Sequence, residues 1–157
     1  MAEMSQSLQR QFDRAWKTLR QATEHCPDDE WKRAGEHIFF VPSRLAYHII
    51  AAVDYYAGGS PDGFVPSKRL GVRWHTEDLE TLPDKRDVLA YLEAARERMA
   101  ATLAGLEDAD MLSPNPFPGR GENMLELMVY TLRHSQHHLG QLNGELKMRG
   151  LPPADWC

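Results

Sequence analysis

The sequence predicts an all-α fold: an antiparallel four-helix bundle in a single domain over residues 1–157. Four separate segments repeat apolar residues at steps of three and four, which is the spacing of one face of an α-helix. No stretch of useful length alternates apolar and polar residues as a strand does. A chain of 157 residues can also bury a sizeable core without disulfides or a structural metal, so we expect any metal to serve chemistry.

The first predicted helix runs from about Ser5 to His25 and ends at the segment Cys26-Pro27-Asp28-Asp29. Its charged surface is interrupted by one apolar stripe, formed by Leu8, Phe12, Ala15, Leu19 and Ala22.

The second predicted helix starts at Pro42 and Ser43, because proline suits a first turn and serine can cap exposed amides. It ends at the Gly58-Gly59 pair. His48 is predicted to face inward, because it stands three or four residues from members of the buried stripe. That stripe consists of Leu45, Ile49, Ala52 and Tyr56.

Residues 58–83 contain many turn formers and no sustained period, which predicts a long connection between the second and third helices, with at most a short helical turn. The third helix is predicted over Asp84 to Leu106. It buries Val88, Leu92, Ala95, Met99 and Leu103.

The segment SPNPFPGRG, residues 113–121, is too rich in proline and glycine to be regular. The fourth helix begins after it, where Asn123 and Glu126 have the spacing of a capping box. It continues to about Arg149, and the segment Gly150-Leu151-Pro152-Pro153 ends it.

Charge and hydropathy exclude two classes of partner. The 18 Lys and Arg and 23 Asp and Glu give a net charge of −5, and they are scattered rather than clustered as on a nucleic-acid-binding surface. No stretch approaches the ~20 apolar residues of a membrane span, and the amino terminus lacks a signal-peptide core. We therefore expect a cytoplasmic protein without a nucleic-acid or membrane partner.

The two cysteines have neither the count nor the spacing of a disulfide framework or a zinc ribbon. We expect Cys26 to be an inert, partly buried thiol and Cys157 to be mobile at the chain end.

Three of the seven histidines lie within residues 134–138. His134 and His138 share one helix face with Cβ atoms ~5–6 Å apart, close enough to converge on one ion. His137 lies about 100° round the helix, so we expect it at the surface or behind the ligands. The inward-facing His48 is the best third ligand. The remaining histidines, expected to be structural or solvent-facing, are His25, His37 and His75.

Spacing alone leaves an alternative open. An H-x-x-x-H pair occurs by chance on many helix surfaces, and a lone inward histidine is usually satisfied by a carbonyl or carboxylate. The face of the pair also carries Leu127 and Thr131 before it and Gln141 and Leu142 after it. These neighbours suit a bundle interior with a polar centre.

The segments PSRLAYHIIAAVDYY (residues 42–56) and RHSQHHLGQLNGELKMRGLPP (133–153) resemble the DinB/YfiT-like family of metalloenzymes. The resemblance implies a four-helix bundle in which one divalent ion is bound by a histidine of the second helix and an H-x-x-x-H pair of the last. Matched position by position, these ligands are His48, His134 and His138. The resemblance covers nearly the whole chain and departs at Leu139, where many relatives carry arginine.

The resemblance also implies an activity on a small-molecule substrate. Characterised relatives include transferases and isomerases that use low-molecular-weight thiols, which implies a metal-dependent thiol S-transferase. The alternatives are a metal-dependent hydrolase that uses metal-bound hydroxide and a non-catalytic dimeric metal-binding module. Ser135 and Gln136 stand where an H-E-x-x-H metalloprotease has its glutamate base, which disfavours a peptidase.

The ligand set does not select one ion, because imidazole suits several divalent metals. Zinc or nickel is expected first, with iron, copper or manganese as alternatives. A homodimer is expected from the resemblance and from apolar residues off the metal face of the fourth helix, which alternatively complete the monomer core. These residues are Met124, Met128 and Leu132.

Five residues near the motif have two interpretations each. Gln141 either bonds a group behind the ligands or makes a helix-packing contact. Glu145 is expected to be a solvated helix-end residue rather than a distant base. Tyr47, together with Tyr55 or Tyr56, either lines a pocket or packs in the core.

Overall fold

The structure is a computed structural model that describes residues 2–58, 61, 62, 65 and 69–156. Among these residues no β-strand occurs, and the all-α prediction is confirmed. The four predicted helices correspond to α1, α3, α4 and α6 of the following set. The helices are α1 (Glu3–His25), α2 (Asp28–Trp31), α3 (Pro42–Ala57), α4 (Lys85–Ala104), α5 (Asp108–Met111) and α6 (Met124–Met148), with a short 3-10 helix at Leu79–Thr81.

The four long helices form a bundle in which α3 packs against α6 and α4, and α1 packs against α4 and α6. The α1/α4 and α3/α6 pairs are antiparallel: Ser5 near the start of α1 bonds Leu106 after the end of α4, and Tyr56 at the end of α3 contacts Tyr130 near the start of α6 at 5.6 Å. The α3/α4 pair is parallel, since Thr102 late in α4 donates to the carbonyl of Ala57, the last residue of α3. The directions of these three pairs also make α1 and α6 parallel. The structure thus refines the expected antiparallel bundle: α1/α4 and α3/α6 are antiparallel, and α3/α4 and α1/α6 are parallel.

This order explains the long connection predicted between the second and third helices. Because α3 and α4 run in the same direction, the chain must return along the length of the bundle before α4 can start. The expected short helical turn is present at Leu79–Thr81. The predicted stop at Gly58-Gly59 agrees with α3, which Gly58 caps. Gly59 and Cys157, whose mobility was predicted, lie outside the described residues.

The ends of α6 follow the predicted chemistry. The Asn123 side chain accepts a hydrogen bond from the backbone N–H of Glu126 at 3.0 Å, as the predicted cap requires. The carboxylate of Glu126 also contributes to this cap. It accepts a hydrogen bond at 2.7 Å from the N–H of Glu122, the residue before Asn123. At the other end Gly150 has φ 72°, and Leu151 N–H bonds the Leu146 carbonyl at 2.9 Å, which closes a Schellman motif.

Ser43 does not cap α3 as predicted. Val41 occupies the capping position without a side-chain hydrogen bond, and Pro42 takes the first turn. The Ser43 hydroxyl is buried and has no hydrogen-bond partner within the described part of the chain. Proline at the first helical position lacks an N–H, so one of the amides that a cap would serve is already absent.

The predicted stripes form the core. All five stripe residues of α1 and all five of α4 are buried, as are Leu45, Ile49 and Tyr56 of α3, whereas Ala52 is half-buried. Met128, proposed for a dimer interface, is fully buried in the monomer core, and Met124 and Leu132 pack against that core. None of the described helices combines the length and apolar character that crossing a bilayer requires.

Candidate metal centre

Three histidines meet where α3 and α6 pack against each other. His48 comes from the middle of α3, and His134 and His138 come from successive turns of α6. The Nε2 atom of His48 lies 3.2 Å from Nε2 of His134 and 3.2 Å from Nε2 of His138. All three side chains are half-buried, and one ligand atom from each lies within 4.8 Å of the others. The structure therefore brings together the three residues that the sequence singled out.

These distances fit one small divalent cation. Imidazole nitrogens bound at ~2.0–2.1 Å to one zinc-like ion are separated by about 2.9 Å at right angles and about 3.4 Å in a tetrahedron. Both 3.2 Å separations lie between those limits. A network of hydrogen bonds explains the geometry less well, because a proton on Nε2 of His48 can be donated to only one of the two facing nitrogens. The three residues could hold a metal ion.

The protonation state also suits ligation. Burial, with smaller contributions from the neighbouring histidines, lowers the pKa of His48 to about 3. Burial likewise lowers the pKa of His134 to about 4 and depresses the pKa of His138. At neutral pH all three imidazoles are therefore uncharged, the form in which histidine binds metals.

The orientation of His138 is set by a hydrogen bond. Its Nδ1 atom lies 2.6 Å from Oε1 of Gln141, so Nδ1–H donates to the amide and Nε2 is left with its lone pair toward the cluster. Of the two interpretations of Gln141, the structure shows the contact behind a site histidine. The Nδ1 atoms of His48 and His134 are buried and find no hydrogen-bond partner among the described residues.

Aromatic packing holds those two rings instead. The indole of Trp74 lies 4.1 Å from the ring of His48, and the phenol of Tyr130 stacks on His134 at 6.1 Å. Phe39 lies 6.2 Å from His48 and 5.9 Å from His138, and it contacts Trp74 at 6.0 Å. Phe39 and Trp74 come from segments without periodicity, so sequence reasoning did not find them. Their aromatic character within the connections was the available signal.

A cavity of about 400 Å³ adjoins the cluster on the side of His48 and His134. Its remaining walls come from three sources: Ala51, Ala52, Tyr55 and Tyr56 of α3, Tyr130 of α6, and Trp74 and Arg120 of the connections. Tyr55 and Tyr56 thus line the pocket, as one of the two interpretations held. Tyr47 does not; it is fully buried in the core, and its hydroxyl donates to the carbonyl of Val72 at 2.8 Å.

The other four histidines lie outside the cluster. His137 is exposed on α6, as expected. His25 contacts the carbonyls of Pro152 and Pro153 at 3.2 Å, His37 accepts from the N–H of Phe39 at 3.1 Å, and the His75 ring lies edge-on to Trp74. These placements agree with the structural or solvent-facing roles expected of His25, His37 and His75.

Two neighbours of the motif behave differently. Leu139 is buried in the core beside Phe12, Trp16 and Ile49, so it does not reach the cavity. The prediction that Glu145 is solvated was wrong. Its side chain is only 3% exposed, because Arg149 pairs with the carboxylate at 2.7 Å and compensates its burial.

Comparison with known proteins identifies the family to which this fold belongs. The family model of the DinB superfamily matches residues 11–142. The chain belongs to the DinB superfamily. This superfamily member is similar in structure to a DinB-like protein from Bacillus cereus ATCC 10987: the TM-score is 0.72, with 16% identity, over 96% of this chain and 95% of the other. At that identity the likeness shows the shared fold. No curated protein matches the chain.

Proposed function

We propose that this protein is a divalent-metal-dependent enzyme that transfers a low-molecular-weight thiol to an electrophilic small molecule. In this proposal His48, His134 and His138 hold one ion, with zinc or nickel expected first. The observation that carries the proposal is the cavity of about 400 Å³ beside a cluster of three neutral imidazoles. A non-catalytic module with a closed structural site needs no such cavity, and three protein ligands are the usual number at a catalytic zinc site.

Residues of the chain itself set the protonation, orientation and packing of the three histidines. Burial keeps the imidazoles neutral, Gln141 orients His138, and Trp74 packs over His48. A bound divalent ion supplies Lewis-acid chemistry that lowers the pKa of a thiol, so that thiolate is present near neutral pH. The sulfur electron pair forms the new bond to the electrophilic carbon, the leaving group departs with its bonding electrons, and the thiol proton passes to solvent.

The cavity lining that the structure describes offers no carboxylate base to either candidate nucleophile, thiol or water. Among the described residues that line it there is no aspartate or glutamate to act as a general base. A thiol with an ordinary pKa of ~8.5 needs far less assistance than water to ionise near neutral pH. Metal-bound water, however, also reaches a pKa of about 7 at three-histidine zinc sites, so the metal-dependent hydrolase is kept as the second candidate.

Neither cysteine is needed as the nucleophile. Cys26 is fully buried and does not line the cavity, and burial raises the pKa of its thiol to about 11. A thiol with that pKa is almost wholly protonated at pH 7 and is a poor nucleophile. In this proposal Cys157 is not required either, so conjugation should also survive Cys157→Ser, and the attacking sulfur belongs to the cosubstrate.

Conjugation of glutathione or cysteine to 1-chloro-2,4-dinitrobenzene, followed by absorbance, tests this function. Untagged protein loaded with zinc or nickel should accelerate conjugation, and His134→Ala or removal of the metal should abolish the acceleration. The matched control His137→Ala, at an exposed position on the same helix, and Cys26→Ser should retain it. Equal rates with and without metal across a panel of small thiols would contradict the proposal.

A further inference from the structure

We propose that the cavity beside the three histidines binds a small planar organic anion, with the guanidinium of Arg120 pairing with its carboxylate. The inference rests on the proposed function and deepens it, because this anion is the class of electrophilic substrate that the thiol would attack. It is carried by the position of Arg120, the charge of the cavity and the shape of its walls.

Arg120 is held at the cavity wall by aromatic side chains. Its Nε–H donates to the hydroxyl of Tyr56 at 3.0 Å, and its guanidinium carbon lies 5.0 Å from the centre of the Tyr130 ring. Tyr130 in turn stacks on His134. A guanidinium has five N–H donors in a fixed planar fork. Besides the Nε contact, Nη1 donates to the carbonyl of Gly119 at 3.4 Å. Nη2 has no hydrogen-bond partner among the described residues, which leaves donors of the fork for a ligand.

The Pro- and Gly-rich segment 113–121 positions this arginine. Phe117 is buried and packs edge-on against Tyr55 and Tyr56, at 5.0 and 5.1 Å, which anchors the segment to α3. Gly121 has φ 116°, and a Cβ there would lie 2.5 Å from Cβ of Glu126, so only glycine fits this close approach to α6. The segment that appeared merely irregular in sequence thus holds Arg120 in place.

Arg120, an exposed residue at the rim, gives the cavity a positive charge. In the part of the chain that the structure describes, Arg120 forms no ion pair, and no carboxylate lines the cavity. A divalent ion held by the three histidines would add further positive charge. A cationic fork without an internal carboxylate partner favours an anionic ligand, and carboxylates match its two parallel N–H groups.

The walls favour a flat, largely apolar body behind that anion. Tyr55, Trp74 and Tyr130 present aromatic surface, while Ala51 and Ala52 leave room on the side of α3. A volume of about 400 Å³ lies in the lower part of the range for small-molecule sites. The site therefore suits a single ring or a short conjugated acid.

Ligand-observed NMR titration with benzoate and its neutral isostere benzamide tests the inference. The protein is used metal-free and dialysed free of chelator, so that neither an ion nor a polycarboxylate competes with Arg120. Wild type should bind benzoate about tenfold or more tightly than benzamide, because hydrogen bonds between charged groups are stronger than those between neutral groups. Arg120→Gln should remove this preference, and Ala52→Leu, which fills the cavity, should weaken both probes.

The control is Arg133→Gln, because Arg133 is an exposed arginine on α6 that does not line the cavity. It should keep the full preference for benzoate. The inference is overturned if wild type binds the two probes equally, if Arg120→Gln retains the preference, or if Ala52→Leu leaves benzoate binding unchanged.

The two proposals fail separately in this design. Anion binding is read without metal or turnover, so a protein that binds no metal can still show the preference for benzoate. Conversely, Arg120→Gln should bind a full equivalent of metal, because Arg120 contacts no imidazole nitrogen of the cluster. Loss of metal in that variant would show that Arg120 supports the histidines and would also overturn the anion site.

Discussion

At the scale of single residues, the three imidazoles are held in different ways. His138 is fixed by a hydrogen bond from Nδ1–H to Gln141, whereas His48 and His134 are fixed by ring packing against Trp74 and Tyr130. A hydrogen bond selects the tautomer as well as the orientation, and ring packing selects only the orientation. Gln141 is therefore the neighbour whose loss should affect the proposed metal binding most directly.

Replacing Gln141 by leucine should weaken metal binding about 10- to 100-fold, because Nδ1–H of His138 loses its acceptor and the ring can rotate. Competition with a chromophoric chelator measures the change. Gln141→Glu keeps an acceptor and should retain most of the affinity, and Gln136→Leu on the same helix is the matched control. An affinity unchanged in Gln141→Leu would show that packing alone orients His138.

At the scale of secondary-structure elements, α3 holds in place the connection that leads to α4 and packs over the site. Tyr47 donates to the carbonyl of Val72, Arg44 donates to the carbonyl of Thr76, and Asp54 pairs with Arg69 at 3.6 Å. The fastened segment includes Trp74, which packs on His48. The helix that supplies one histidine therefore also positions the wall beside it.

Tyr47→Phe should lower the free energy of unfolding by about 1–3 kcal/mol, because the Val72 carbonyl loses the donor that satisfies it. Urea denaturation measures this loss. Hydrogen exchange should also quicken in residues 70–76, since one of their attachments is gone. Unchanged stability and exchange would show that the hydroxyl contributes nothing to holding the connection.

A second fastening lies at the C-terminal end of α6. Arg149 pairs with Glu145 at 2.7 Å and with Glu30 at 2.8 Å, and it donates to the carbonyl of Phe40. These contacts bind the segment between α2 and α3, which carries Phe39, to the helix that carries two of the histidines. Glu145 is buried for this reason.

This fastening should depend on pH. The hydrogen bond from Arg149 holds the pKa of Glu30 below its ordinary value of 4.5. A carboxyl with a lowered pKa in the folded state stabilises the fold above its unfolded pKa and loses that contribution as the pH falls through the folded pKa. Wild type should therefore exceed Glu30→Gln in urea midpoint at pH 7, with a gap that narrows below pH 4.5. A gap that widens in acid would contradict this pairing.

At the scale of the whole molecule, the periodicity of apolar residues predicted the four long helices. It did not predict the two short helices or the direction in which neighbouring helices run. The stripes of α1 and α4 place those helices correctly to within about two residues. The helices Asp28–Trp31 and Asp108–Met111 have four residues each, too few for a repeat to appear. A stripe also carries no direction, so the parallel pairing of α3 with α4 followed only from tertiary contacts.

The residues of the site were likewise predicted only where local helix geometry places them. His134 and His138 are neighbours through helix geometry alone, and the stripe of α3 indicated that His48 faces inward. Trp74 and Arg120 reach the cavity through long-range contacts of irregular segments, which local spacing cannot predict. Glu145 was misjudged because its burial depends on Arg149, whose other contacts lie in a distant segment.

Assembly stays a prediction at this scale. We expect a homodimer in solution, although Met128 is now accounted for by the monomer core. Light scattering at micromolar concentration should give about twice the 17.9 kDa chain mass. A mass of one chain would contradict the dimer and leave the site unaffected, because the three histidines come from one chain.

The central claim is that His48, His134 and His138 bind one divalent ion, and metal stoichiometry tests it most directly. Untagged protein is equilibrated with zinc or nickel, dialysed, and analysed by inductively coupled plasma mass spectrometry, with circular dichroism to verify the fold of each variant. Wild type and His137→Ala should each retain about one equivalent, whereas His138→Ala should retain almost none, because two imidazoles bind an ion far more weakly than three. A full equivalent in folded His138→Ala, or none in wild type, would contradict the assignment.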